Sequence, residues 1–577
     1  MRSLSILPRS LGPLAAILAL LASAASAHAA PGDVVGQSCI SKTGAGGCAL
    51  LAEPNMLASP AGVAVASDGS DVYVGAAAGI AHFRRALDGS LTYANCVDTS
   101  AGGGCPTAAP PDAAGALGAN SINIAISPDG KHVYAVSWAD ALVWWARDPT
   151  TGDLTWGGCR DAATDSSTNG RCGTATTFGG GNFPAGSMAF SQGVSVTPDG
   201  QTIYIADQSE GLLQAQRNPS NGAATPTACF NTTGSGAAGC ASLASGIPMA
   251  LSGIDVASNS RDVYVRSISP GGITHFSRTA GGTTSFTSCV GNSPCATAGP
   301  SPVFAYSGSI GVAGNVLFTH GGNYGTPSGT VARFGRNSDG TLAFESCATT
   351  EAAPGPCAVL PALTSSGSIG RLAVSPDASS IYLPQNGTTE NALTRLTGTL
   401  GFASCLSSTG VGACTSPPLP GPFGNSVGHM VLSPDGRQIY QAASDAINIF
   451  DVEQVASGGV GAPLPVPIAG PGAKRLRATP PRIRSVKRGK RGRYRVKVRV
   501  FQAGKIKARF TGKLKRKGKV RTLGKVAVRR VRKPGTYTLT VKPSRASLER
   551  KLKARLVVTI SPPGYIFARK TKRVRLK

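Results

Sequence analysis

Seven variants of one short phrase recur along the 577 residues: SDGSDVY at 67–73, SPDGKHVY at 127–134, TPDGQTIY at 197–204, SNSRDVY at 258–264, the shortened VAGNVLF at 312–318, SPDASSIY at 375–382 and SPDGRQIY at 433–440. A period of about sixty residues limits the chain to architectures built by repetition, in which each unit buries its apolar faces against its neighbours. Within a unit the order is constant, and the second copy shows it whole: INIAI, the turn SPDG, KHVYAVS, ALVWWAR, the turn DPTTGD, then LTWGGC. Asp-Gly and Pro-Asp supply the φ > 0 and preset φ that tight reversals need, so the apolar runs between them are short antiparallel strands. Four strands per unit, seven times over, predict an all-β chain whose main part is a seven-bladed β-propeller spanning about 34–455.

The two ends of the array complement one another. The stretch VVGQSCISKTGAGGC (34–48) matches a fourth strand with its following loop, whereas the last unit (426–452) has three strands and no fourth. Supplying the missing strand from the N-terminus closes the ring and removes an open sheet edge.

All fourteen cysteines fall in close pairs, one pair per unit: Cys39/Cys48, Cys96/Cys105, Cys159/Cys172, Cys229/Cys240, Cys289/Cys295, Cys347/Cys357 and Cys405/Cys414. None has the two-residue gap of zinc or redox motifs, so seven local disulfides are expected and no metal site. Residues 1–29 read as a signal peptide: Arg2 and Arg9, the apolar run LAAILALLA (14–22), then ASAHA (25–29). The apolar run is too short to span a bilayer, and no later segment is expected to do so. The protein is expected to be secreted or associated with the cell envelope.

Two sets of residues stand out within the repeats. Arg85, Arg147, Arg217, Arg278 and Arg336 each end a third strand and are expected to make turn and rim contacts. Small polar residues enter the inner strands at Ser59, Asn120, Ser191, Ser252, Ser309, Ser368 and Ser426, and these are the candidate ligand-binding ring at the channel mouth. His82 and His275 occupy equivalent third-strand positions, which marks them as parts of the repeat.

Residues 456–480 are rich in Gly, Pro and Ala and read as a linker. In RYRVKVRVF (493–501), Tyr494, Val496, Val498 and Val500 alternate with Arg495, Lys497 and Arg499, and similar alternation returns in KIKARF, KVAVRR, TYTLTV, RLVVTI and RVRLK. Period-two patterning of this density predicts a small immunoglobulin-like or fibronectin-like β-sandwich over 481–577, with SRASLERKL (544–552) as a helical crossover. From 474 to 577 there are 39 Lys and Arg against the single acid Glu549, while the mature remainder carries 16 basic and 27 acidic residues. The overall charge of +29 therefore averages a mildly acidic propeller with an intensely basic tail.

The phrase SPDGKHVYAVS followed by ALVWWARDPTTGDLTW resembles the seven-bladed propellers of the 6-phosphogluconolactonase-like lactonase family and the related YVTN repeat proteins, over roughly residues 34–455. That resemblance implies an inner-strand His six residues before the turn Asp, preceded by Arg, with a Glu shortly after the Tyr. Here His429 stands at that distance from Asp435 and is the candidate catalytic residue, with Gly428 before it, Ser444 in the place of the Glu, and Asn123 at the equivalent position of the second copy. The sequence has no GxSxG elbow, no P-loop and no calcium loop, and no cofactor is expected. The leading expectation is a secreted binding or scaffold protein, with an unidentified ligand or protein at the propeller's loop face. Residues 474–577 would hold it to anionic cell-wall or extracellular polymers, nucleic acid being an unlikely partner for an exported chain. The alternative is an extracellular lactonase or sugar-acid hydrolase acting at the propeller mouth.

Overall fold

The computed structural model divides into two compact units, 1–456 and 457–577. It describes residues 30–454 and 482–576 apart from stretches within their loops; the proposed signal peptide, the linker and the proposed helical crossover lie outside the described residues. The first unit contains seven sheets of four or five strands. Blade one is Gly62–Val65, Asp71–Ala76, Gly79–Arg85 and Leu91–Asp98, and blades two to six follow the same meander, ending with Phe402–Ser407. Blade seven takes Val427–Leu432, Gln438–Ala443 and Ala446–Val452 from the end of the array and Val34–Ser41 from its start, with Ile40 opposite Ile447 and Val34 opposite Val452. The ring thus closes through the N-terminal strand, as the unmatched ends of the repeat predict.

Second and third strands lie between neighbouring blades and are buried along nearly their whole length, as in His132–Val136 and Ala141–Arg147. Their sequences are accordingly apolar without alternation. Fourth strands form the rim and alternate, as in Leu91–Asp98, until the cysteine is reached. Disulfides join Cys39–Cys48, Cys96–Cys105, Cys159–Cys172, Cys229–Cys240, Cys289–Cys295, Cys347–Cys357 and Cys405–Cys414. The first cysteine of each pair lies within the fourth strand, not in a loop after it. In six of the seven blades the residues just beyond the second cysteine return alongside that strand in parallel, as Ala49–Leu50, Thr107–Ala108, Ala241–Leu243 and Ala358–Val359 or as the single bridges at Ala296 and Thr415. Each of these six disulfides therefore pins a short returning segment to the rim. Among the described residues no helix is long and apolar enough to cross a membrane.

Adjacent blades are joined by a polar clasp made from the residues that define the repeat. Between blades one and two, Arg147 Nε donates to Tyr73 Oη at 3.0 Å, Nη1 donates to Gly130 O at 3.0 Å, and Nη2 reaches Asp71. The Tyr73 hydroxyl itself donates to Gly152 O at 2.6 Å, in the turn after Arg147. The same set recurs as Arg217, Tyr134, Asp129 and Gly222 between blades two and three, and as Arg336, Tyr264, Asp262 and Gly340 between blades four and five. It also closes the ring: Arg85 of blade one meets Tyr440 at 2.7 Å and Asp435 at 2.9 Å, both in blade seven. Between blades three and four Arg278 holds Thr202 and Asp199. Glycine is required in the accepting turn, since a Cβ on Gly152 would come within 2.5 Å of Asp71 Oδ1 and 2.6 Å of His82 Nε2. His82 and His275 complete the arrangement identically, bonding Asp71 and Asp262 and stacking on Tyr73 and Tyr264. The recurring arginines are rim contacts between blades.

The second unit is a β-sandwich. One sheet runs Arg482–Arg488, Tyr494–Val500, Gly535–Pro543, Gly524–Lys525; the other runs Arg521–Thr522, Gly504–Gly512, Lys553–Ser561, Ala568–Arg575, with Ala527–Val531 also pairing Gly504–Gly512. Its core draws Val496, Val498 and Leu539 from the first sheet and Ile506, Phe510 and Leu556 from the second.

The clasps make the propeller acid-sensitive. Hydrogen bonds from His275 and Asn259 together with Arg336 lower the pKa of Asp262 to about 2. Burial alone would raise Asp71, Asp129 and Asp435, but their serine and arginine partners, and for Asp71 first His82, more than offset it and leave all three below the usual carboxylate range. A carboxylate depressed in the folded state contributes stability that is present above its unfolded pKa of about 3.9 and is lost as pH falls through the folded value. Calorimetry of the propeller unit should therefore give a Tm that is flat above pH about 5 and falls steeply between about 4 and 2; a Tm unchanged down to pH about 2 would contradict the clasp account.

Candidate functional site

Where the seven inner strands meet, they enclose a channel cavity of ≈ 460 Å³. One repeat position governs its wall. Six residues before the turn acid or its equivalent stand Gly62, Asn123, Gly193, Gly253, Arg371 and His429 in blades one, two, three, four, six and seven. Glycine suits this crowded hub, because a Cβ on Gly62 would lie 2.6 Å from Ile122 O of the next blade. In blades six and seven, where Arg371 and His429 take this position, the strands are irregular. The inner strand of blade six is split into Gly367–Ile369 and Ala373–Val374, with Arg371 in the gap. The ladder of blade seven jumps between Val427 and Met430 around His429, whose N–H donates instead to Ala61 O of blade one at 2.8 Å. Breaks of this kind re-aim side chains out of the sheet.

Arg371 uses that freedom to cross the channel. Its Nη1 donates to Asn123 Oδ1 of blade two at 2.8 Å, and its Nη2 to the Gln192 carbonyl of blade three, which a register shift between Ser191 and Gly193 has released from its own ladder. The guanidinium is a strut from one side of the ring to the other, with neutral acceptors at both attachments. Burial lowers its pKa to about 10, which leaves it cationic at neutral pH. The backbone of Leu372 donates to Ser309 Oγ at 2.9 Å, and Asp255 in the same wall accepts from Val312 N–H at 2.7 Å.

His429 lines this cavity, but its electrostatics are those of a neutral imidazole. Burial first, then the Arg371 charge, lowers its pKa to about 3 against an opposing hydrogen bond with the Val63 backbone. Its Nδ1 is buried with no hydrogen-bond partner among the described residues. His320 behaves alike, lowered to about 3 by burial and by Arg266 and Arg371, with its Nε2 accepting from Ser309 N–H at 3.1 Å. The site therefore offers a half-buried cation, a carboxylate, an amide and hydroxyls in a channel of mixed polar and apolar lining. Among the described residues no group of three His, Cys, Asp or Glu is placed to hold a metal.

Among the described small polar residues expected to ring the mouth, only Ser309 enters the cavity wall. Ser191 is buried against Asp207 and Met188, and Ser252 donates to Arg266 O and Gly308 O, so both are spent on packing between strands. Ser59 is exposed in a loop, its N–H bonded to Asp445 Oδ1 at 3.3 Å. Asn120, Ser426 and Ser444 lie outside the described residues; Ser368 is in a strand, its side chain undescribed. Ser191 and Ser252 enter their strands just ahead of Gly193 and Gly253, where the channel wall begins. Sequence reasoning missed Arg371, although it shares the repeat offset that singles out His429 and Asn123.

The sandwich presents a second candidate surface. Along Tyr494–Val500 the apolar residues are buried and Arg495, Lys497 and Arg499 are exposed. On the other sheet Lys507, Arg509, Arg555 and Arg573 are exposed in the same way, while Ile506, Ala508, Phe510 and Leu556 face the core.

No family model and no curated protein matches this chain. Solved structures resemble it at low identity. A candidate 6-phosphogluconolactonase from Bacteroides uniformis is 13% identical, with 61% of this chain and 85% of that chain covered and a TM-score of 0.38. The β-propeller domain of Cps50 (Swd1) from Myceliophteria thermophila is 9% identical over 69% and 98%, TM-score 0.42, and hydrazine synthase from Kuenenia stuttgartiensis 11% over 69% and 97%, TM-score 0.39. The fold is an all-β propeller with a C-terminal sandwich. Likeness at these scores carries no chemistry.

The strut predicts a contrast in stability. Because Arg371 has no carboxylate partner among the described residues, Arg371→Met should change unfolding free energy by less than about 1 kcal/mol, whereas Arg147→Met, which takes a partner from the fully buried Asp71, should cost about 3 kcal/mol or more. Equal losses in urea titrations would show that Arg371 is a structural residue of the same kind as the clasps.

Proposed function

We propose that this protein is an exported binding or scaffold protein, whose propeller offers a ligand or partner surface and whose basic sandwich, immunoglobulin-like or fibronectin-like in type, retains it on anionic polymers of the envelope or extracellular space. Seven disulfides fit a chain that folds in an oxidising compartment. The observation that carries the reading is the exposed row Arg495, Lys497 and Arg499 above a fully apolar inner face, in a segment with 39 cations and one acid. Solubility is served by mixed signs; a surface of one sign stores self-repulsion that a bound polyanion relieves. Cations on alternate strand residues recur about every 6.8 Å, within a Debye length of about 8 Å at physiological salt, so a linear polyanion meets several at once.

Full-length protein should bind a heparin column at low salt and elute on a salt gradient, as counterion release requires, while a chain ending at residue 456 should pass through. Equal retention of the two, or retention indifferent to salt, would end this reading.

A further inference from the structure

The polyanion-binding reading of the sandwich, on which the following rests, does not fix how many polymer chains one molecule holds. We propose that the sandwich bears two separate polyanion-binding faces and bridges two polymer chains. The inner faces of both sheets build a single core, so their outer faces point in opposite directions. Each outer face is cationic: Arg495, Lys497 and Arg499 on one, Lys507, Arg509 and Arg555 on the other, all exposed.

Strand register adds an independent sign of design on both sides. Lys487 lies directly opposite Arg495 on the first sheet, and Arg555 directly opposite Arg573 on the second. Like charges facing each other across a ladder destabilise a sheet. An oxyanion seated between the two members of such a pair is contacted by both and reverses the penalty. One face with such a pair is a site; a matching pair on the opposite face is a second site of the same design.

The sheets of a sandwich pack about 10 Å apart, and the side chains extend beyond that on each side, so the faces are separated by more than the Debye length of about 8 Å. A polymer lying on one face is screened from the other. Recognition is of a line of charges alone, since the described aromatic residues of this unit, Tyr494, Phe510 and Tyr537, are buried or half-buried and offer no exposed ring for stacking a base or sugar. The ligand is a linear polyanion, and its simplest probe is inorganic polyphosphate.

The test mixes full-length protein with two batches of linear polyphosphate carrying different fluorophores and follows two-colour cross-correlation. Wild-type protein should make the colours diffuse together when polymer is in excess and separate again when protein saturates every chain. The variant Arg495→Thr/Lys497→Thr/Arg499→Thr, and separately Lys507→Thr/Arg509→Thr/Arg555→Thr, should each still bind, with roughly half the wild-type slope of log affinity against log salt, and should abolish cross-correlation. Threonine suits exposed strand positions, and residual binding by each variant reports that it is folded. Binding by wild type without cross-correlation, as when one polymer wraps both faces, overturns the bridge and leaves the polyanion reading intact. Persistent cross-correlation in either variant also overturns it. Failure of wild-type protein to bind polyphosphate at any salt overturns both.

Discussion

The propeller depends on a guanidinium held between blades. Stacked sheets supply a large apolar interface, but apolar packing does not select which blade follows which, or fix the angle between them. The Arg–Tyr–Asp clasp does both, because one planar fork must meet a hydroxyl, a carbonyl of its own blade and a carboxylate of the neighbour together. Between blades five and six both halves of the clasp are lost. The tyrosine position of blade five is Phe318, and the partner position in blade six is Gly398, so neither hydroxyl nor guanidinium is left buried alone. At the next interface Val452 stands in the arginine position, and the contact is rebuilt from blade six and the N-terminal segment: Arg395 pairs with Asp33 at 2.7 Å and Tyr382 donates to Gly32 O. Unpaired members of such a set are costly in a buried interface, which explains why each is either dropped with its partner or given a new one.

Closure follows from the same economy. Val34–Ser41 completes the seventh sheet, Asp33 and Gly32 just before it complete the last clasp, and Arg85 joins blade one to blade seven. The disulfides act further out, tying each rim strand to the segment that leaves it, and so stiffen loops that have little apolar surface of their own to bury.

Architecture was legible in the sequence because it is written seven times. The SPDG turns, the tyrosines, the terminal arginines and the cysteine pairs repeat at fixed offsets, and the missing strands at the two ends name the closure. The short parallel strands after the second cysteines were not legible, since two or three small residues carry no periodicity. The channel was read only in part. His429 and Asn123 were found through their offset, but Arg371 was hidden by the habit of looking for polar residues at strand entrances. Ser191 and Ser252 lie outside the cavity wall, because a serine hydroxyl buried in a strand is taken by the nearest carbonyl or carboxylate. In the sandwich, alternation alone determined which residues are buried, and register was needed to see that like charges face each other across both sheets.

The repeat spends many of its charges in pairs between blades. The claim that the clasps, and not apolar packing alone, hold the ring is tested most directly by a double-mutant cycle on Arg217 and Tyr134. Arg217→Met, Tyr134→Phe and the double variant, compared by urea unfolding of the propeller unit, should show a coupling energy of about 1–3 kcal/mol. Free-energy changes that add to within about 0.5 kcal/mol would mean that arginine and tyrosine contribute separately, and that the clasp is not the interaction on which the ring depends.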